Sequence, residues 1–338
     1  MTTLKTLLVA TVGLALASAS VMAAEPSKPK LGPKPATKLE KVIGGQLDTY
    51  VYVPKSEPKL AGKRALMVSL HGCIQTNDDM YQGAGWQPVA DEYGMVVALP
   101  QSSWEGLWGS KAGCWNFHVG MEASRDKTDA GYLVAMVEEL LADKALNIDP
   151  NQVYITGISS GGAMAHQMGC LAPDLFAGIG GVAGLAGGSF SATNKSLFEA
   201  EFTPEEGKQR CEALAGKHKT QLKTQIRNSI HGAADKRVSS IHVHHTADVG
   251  VAIASGEKPL KECRTAVIPG FKEGQHGDLT AWCDVKGEQV SKILVQGLGH
   301  LWPAGSNSSG GAYIDHEHIN YPEWVTQWFF DNNRRVKR

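Results

Sequence analysis

The chain has 338 residues, with 33 Lys and Arg against 34 Asp and Glu, a formal net charge of -1 and 42% hydrophobic residues. This balance lacks the basic stripe that nucleic-acid binding requires and suits a neutral substrate better than a polyanion. After any targeting segment, about 300 residues remain, enough for one large α/β domain.

Residues 1–24 read as a secretory signal peptide. Lys5 supplies the positive start, Leu7 to Ala17 an apolar core, and Met22-Ala23-Ala24 a small-residue cleavage site. The core is too short and too rich in Ala, Gly and Ser for a good membrane span. No cysteine stands near the cleavage point, which argues against a lipoprotein. Residues 25–41 are Pro- and Lys-rich and read as a flexible lead-in. Residues 42–338 read as a single catalytic-sized domain, with no repeat and no second shift of composition. The expected location is secreted, extracellular or periplasmic.

Beyond that point short β-branched runs alternate with helical spacing. Thr49 to Val53, Ala65 to Leu70 and Met95 to Leu99 read as strands, the first and third stopped by Pro54 and Pro100. Asp129 to Lys144 spaces Leu133, Met136, Val137, Leu140 and Leu141 on one helical face. Val153 to Thr156, Ile179 to Ala183, Val238 to His244 and Lys292 to Gln296 continue as strands, and Pro322 to Phe330 as a closing helix. Leu222, Ile226 and Ile230 recur every four residues, which predicts a helix closed by Gly232. Such alternation predicts a largely parallel sheet with helices on both faces, and chemistry at the carboxyl ends of its strands.

One such end carries Gly157-Ile158-Ser159-Ser160-Gly161-Gly162, between a buried-strand run and an Ala/Met-rich helical start. Gly-x-Ser-x-Gly in that setting is a nucleophile elbow, with glycines where a Cβ would collide with neighbouring backbone. A serine needs a base and an orienting acid. His300, flanked by Gly299 and following the apolar run from Ile293, is the best base among twelve histidines. For the acid, Asp248 and Asp235 fit the same loose pattern. Asp248, expected in the loop after a strand, is preferred over Asp235, expected after a helix. Oxyanion donors are expected from the backbone N–H groups of Ser160 and Cys73, the latter in His71-Gly72-Cys73 after an early buried strand.

Two histidine groups invite a metal reading: His242, His244 and His245, and the run Asp315-His316-Glu317-His318. Neither has a recognised ligand spacing, so strand packing and a solvated loop are the better readings, and no metal is expected. Trp104, Trp108, Trp115 and Trp302 fall in predicted loops. Packing accounts for most such residues, and Trp302, beside His300, is the one expected to line an apolar substrate pocket.

Six cysteines in an exported chain favour disulfides. Sequence does not fix one connectivity among fifteen; the expected pairs are Cys73–Cys114, Cys170–Cys211 and Cys263–Cys283, of which only the last is favoured by a short loop.

Together Tyr50-Val51-Tyr52-Val53-Pro54, Leu70-His71-Gly72-Cys73, Gly113-Cys114-Trp115-Asn116, the elbow, His245-Thr246-Ala247-Asp248 and Gly299-His300 resemble the esterase family of extracellular polyhydroxybutyrate depolymerases and feruloyl-type esterases. The resemblance implies an α/β-hydrolase fold, Ser159 as nucleophile, His300 as base, Asp248 as acid, oxyanion donors at Cys73 and Ser160, and no cofactor. Two departures stand out. Leu185-Ala186-Gly187-Gly188-Ser189 replaces the Gly-Gly-Pro-Tyr-x-Cys segment usual in the depolymerase branch, and no added substrate-binding module is legible before Arg338. Contact with insoluble polymer would then rely on an apolar patch near the mouth, or the substrate is soluble. The expected function is a serine esterase acting on poly(3-hydroxybutyrate) or its oligomers. A feruloyl or acetyl carbohydrate esterase is the enzyme alternative, and a secreted binding or metal-sequestering protein the non-enzyme one.

Overall fold

The computed structural model describes residues 37–39, 49–60, 62–102, 113–117, 124–189, 194–255, 259–308 and 310–336. The expected signal peptide, Trp104 and Trp108 lie outside the described residues. Ten strands form one sheet: β1 (Thr37–Leu39), β2 (Thr49–Tyr52), β3 (Arg64–Leu70), β4 (Val96–Pro100), β5 (Ile148–Gly157), β6 (Gly178–Val182), β7 (Ile226–Gly232), β8 (Lys261–Pro269), β9 (His276–Asp284) and β10 (Gly287–Val295). Their spatial order is β1-β2-β4-β3-β5-β6-β7-β10-β9-β8. The described helices are α1 (Asn77–Gly83), α2 (Trp86–Tyr93), α3 (Thr128–Ala142), α4 (Ser160–Leu171), α5 (Asn194–Phe198), α6 (Pro204–Ala215), α7 (Ile241–Ala254) and α8 (Tyr321–Asn332). Neighbours from β4 through β10 run parallel, and the strands beyond them at each edge run antiparallel. β1 falls inside the stretch read as a flexible lead-in; Thr37 to Leu39 instead pair with Val51 to Thr49 of β2.

The parallel strands are buried on both faces, and their side chains alternate between two cores. Leu66 and Val68 of β3 with Val153 and Ile155 of β5 pack against α3 (Thr128–Ala142) and α4 (Ser160–Leu171). Met67 and Tyr154 point the other way, against α2 (Trp86–Tyr93) and α8 (Tyr321–Asn332). The period of two along each strand therefore sorts side chains onto opposite faces, and helices cover both. Burial at about 25 cal/mol per Å² of apolar surface is the main stabilising term.

Two predicted elements differ. The stretch before Asp235 is strand β7, not a helix, because a spacing of four is a multiple of both the strand and the near-helical period. Ile226 and Ile230 share one face of β7 and pack in the same core, while Leu222 belongs to a 3-10 stretch in another cluster. Conversely, the run expected as a strand from Val238 to His244 leads into helix α7 (Ile241–Ala254). Its buried positions His242, His245, Thr246, Val249 and Ile253 recur at helical spacing.

All three expected disulfides are present: Cys73–Cys114, Cys170–Cys211 and Cys263–Cys283. No helix among the described residues is long and apolar enough to cross a membrane.

Candidate active site

β5 ends at Gly157, α4 begins at Ser160, and between them Ser159 adopts φ 57° and ψ -120°. Such a backbone strains a residue with a Cβ by about 1–3 kcal/mol and persists only where surroundings over-determine it. Here they do. Ser159 N–H donates to Val182 O at 2.8 Å, and Ile158 N–H to Leu70 O at 3.1 Å, locking the turn to β6 and β3. A Cβ on Gly161 would lie 2.3 Å from His71 O, and one on Gly157 would lie 2.6 Å from the Gly161 carbonyl. The glycines are thus set by close backbone approach.

The loop after β3 faces this elbow. Gly72 N–H donates to Gln75 Oε1 at 2.7 Å, and Cys73 is tied by its disulfide to Cys114. Trp115, fully buried, donates its ring N–H to His71 O at 2.9 Å and its backbone N–H to Ser160 Oγ at 3.3 Å. Asn116 N–H donates to Asp129 Oδ2 of α3 at 2.8 Å. Gly113-Cys114-Trp115-Asn116 is therefore a strap holding the His71–Cys73 loop over the elbow. His71 is buried beneath it; its Nε2 accepts from Ser102 N–H at 3.1 Å, so its proton sits on Nδ1, 2.8 Å from Gly72 O. Desolvation pushes its pKa down to about 4 and keeps it neutral. Ser160 is the first residue of α4, where backbone N–H groups have no intrahelical acceptor.

His300 lies in the loop after β10. Its Nδ1 is 2.7 Å from Oδ2 of Asp235, and that carboxylate is fully buried. His231 Nε2, on β7, reaches the same oxygen at 3.1 Å. Asp235 Oδ1 accepts the backbone N–H groups of Arg237 at 2.8 Å and Val238 at 3.0 Å. Burial alone would raise the Asp235 pKa, but these donors outweigh it and hold the carboxyl well below its usual range. An ionised Asp235 can only accept, so the His300 proton sits on Nδ1 and Nε2 is left bare and basic. The preference for Asp248 is corrected by this geometry. Asp248 is exposed on α7, the helix that replaces the expected strand, and His300 is paired with Asp235.

Ser159, Ser160, Cys73 and His300 border one cavity of about 380 Å³. Its walls are mainly apolar, with Ile158, Ala163, Leu185, Leu197, Phe198 and Val238 prominent, and Arg237 and Tyr313 stand beside His300. Trp302 is not among the lining residues, which corrects its expected substrate role. It sits on the short strand β11 (Trp302–Pro303), fully buried, packed on Trp86 and Tyr321, with its ring N–H donated to Ala84 O at 3.1 Å. The histidine groups lie elsewhere. His242, His244 and His245 are on α7, and Asp315 pairs with His318 at 3.0 Å. Sequence reasoning missed His231, Arg237 and Tyr313; the first two flank Asp235 in His231-Gly232-Ala233-Ala234-Asp235-Lys236-Arg237, so pairing His300 with Asp235 would have found them.

Residues 49–198 match the family model described as esterase PHB depolymerase. A poly(3-hydroxybutyrate) depolymerase of Ralstonia pickettii is 35% identical over 88% of this chain, and the chain spans 60% of that relative's length. Acetylxylan esterase A of Emericella nidulans is 27% identical over 74% of this chain and 79% of its own. Among solved structures, an acetyl xylan esterase from Aspergillus awamori superposes with a TM-score of 0.58 at 20% identity, covering 84% of this chain and 94% of that one, a likeness of fold.

Proposed function

From the match of residues 49–198 to the esterase PHB depolymerase family model and the 35% identity to a poly(3-hydroxybutyrate) depolymerase, we propose that the chain is an exported serine ester hydrolase acting on poly(3-hydroxybutyrate) or its oligomers. The observation that carries the reading is that His300, paired with the buried Asp235 carboxylate, borders the same apolar cavity as a strained Ser159. Ser159 Oγ attacks the ester carbonyl as His300 Nε2 takes its proton. The developing oxyanion is held by the N–H groups of Cys73 and Ser160, each such donor being worth about 3–4 kcal/mol. His300 then delivers the proton to the departing alcohol, and Asp235 stabilises the imidazolium between the two transfers. Water, activated by the same histidine, frees the acid. The chemistry asks for no cofactor. Three disulfides and the leader-like first 24 residues support export and a single catalytic domain beyond the lead-in.

The test is release of soluble product from amorphous poly(3-hydroxybutyrate), run beside acetylated xylan, methyl ferulate and p-nitrophenyl butyrate. Release from the polyester or its oligomers with little activity on the carbohydrate-type esters is expected. Activity on xylan or ferulate alone would move the protein to the carbohydrate esterases, and inactivity on all four would end the esterase reading.

A further inference from the structure

Arg237 is the single Lys or Arg side chain bordering the catalytic cavity, and no Asp or Glu borders it among the described residues. Its backbone is fixed by the bond to Asp235, so its place beside the triad is set by the same turn that sets the acid. The guanidinium lies on the face of Tyr313, 5.2 Å from the ring centroid, and Tyr313 in turn meets the His300 ring edge-on at 6.4 Å. Tyr313 holds φ at 57°, a conformation disfavoured for a bulky residue. Its ring therefore bridges the histidine and the arginine. Among the described ion pairs Arg237 has no partner, and its side chain stays exposed at the mouth.

We infer that Arg237 is a binding site for a carboxylate on the alcohol half of the substrate, which makes oligomers with a free carboxyl end the preferred esters. This rests on the esterase reading above. His300 must hand its proton to the departing oxygen, so the alcohol half lies against His300. Arg237 is one aromatic ring beyond it. A guanidinium placed over a ring can present its fork of N–H groups to a planar carboxylate, while the apolar remainder of the cavity takes the neutral acyl half. In a 3-hydroxyacyl oligomer the terminal unit fits this division. Its hydroxyl oxygen carries the ester bond and its carboxylate is free. Attack by Ser159 forms the acyl bond to Oγ and breaks the bond from the carbonyl carbon to the terminal unit's oxygen. That oxygen takes the proton from His300, and the terminal hydroxy acid leaves with its carboxylate still ionised. Water then hydrolyses the shortened acyl-enzyme. Cleavage on this scheme proceeds from the carboxyl end, one unit at a time.

The test compares kcat/KM for the 3-hydroxybutyrate dimer and trimer with that for their methyl esters, in wild type, Arg237→Gln and Arg237→Lys. Wild type is expected to favour the free acids about tenfold at low salt, the preference shrinking as salt rises. The ratio should fall to about one in Arg237→Gln, through KM, and recover in part in Arg237→Lys. A wild type active on the methyl esters with no preference for the acids, or a preference that survives Arg237→Gln, overturns the arginine site and leaves the esterase reading standing. Wild type inactive on acids, methyl esters and p-nitrophenyl butyrate alike overturns both.

Discussion

Four donors converge on Asp235: two histidine rings on one oxygen and two backbone N–H groups on the other. An acid held in that way keeps its charge and fixes the His300 tautomer. Asp235→Asn is expected to lower kcat by about 10⁴-fold, as loss of the orienting acid does in a serine triad. Asp248→Asn should change kcat less than about twofold, since Asp248 is exposed on α7 and His300 is paired with Asp235. Steady-state kinetics of the two variants on p-nitrophenyl butyrate checks both, and the larger loss at Asp248 would refute the pairing. His231 is the second donor. His231→Leu should destabilise the fold by about 2 kcal/mol by taking a hydrogen bond from a buried charge, with His231→Gln milder; urea midpoints decide.

At the scale of elements, the elbow and the oxyanion loop are one backbone unit. Gly161→Ala would push a Cβ into His71 O, and either the turn or the loop must shift. The expected result is a loss of about 1–3 kcal/mol in stability together with a fall in kcat, because the displaced loop carries the proposed Cys73 donor. A variant with wild-type stability and turnover would show that this approach is not needed. Much of this unit was legible beforehand. Gly157 to Gly162 between a β-branched run and an Ala/Met-rich run admits few backbones, and the elbow, β5 and α4 follow from it. The neighbourhood of the acid was not legible, since Ile226 and Ile230 satisfy strand and helix periods alike, and the reversed assignments of β7 and α7 turned the choice toward Asp248. Tyr313 and Arg237 meet at the cavity only through loops far apart in sequence, and no local pattern announces such a meeting.

On the scale of the whole molecule, two histidines locked neutral in the interior tie stability to pH. Burial lowers His71 to about 4 and His166 to about 3, the latter helped by nearby Arg227. Both values lie below the ordinary 6.5, so the unfolded chain binds protons that the folded chain refuses. Their contribution is fully present above pH 6.5 and is lost as pH falls toward 4 and 3, at up to about 1.4 kcal/mol per pH unit for each. Asp235 adds a further loss below the ordinary carboxylate value of 3.8. Urea midpoints should therefore decline as pH falls from 6.5 to 4.5, and a flat profile over that range would contradict the buried neutral state of both rings.

The central claim is that Ser159 is the nucleophile of an ester hydrolase, and labelling by a fluorophosphonate probe tests it most directly. Intact-mass and peptide mass spectrometry should find one adduct, on Ser159, with hydrolysis of p-nitrophenyl butyrate falling in proportion to labelling; folded Ser159→Ala should neither label nor turn over. An adduct on another residue, or a folded Ser159→Ala that still hydrolyses the ester at the wild-type rate, would contradict it.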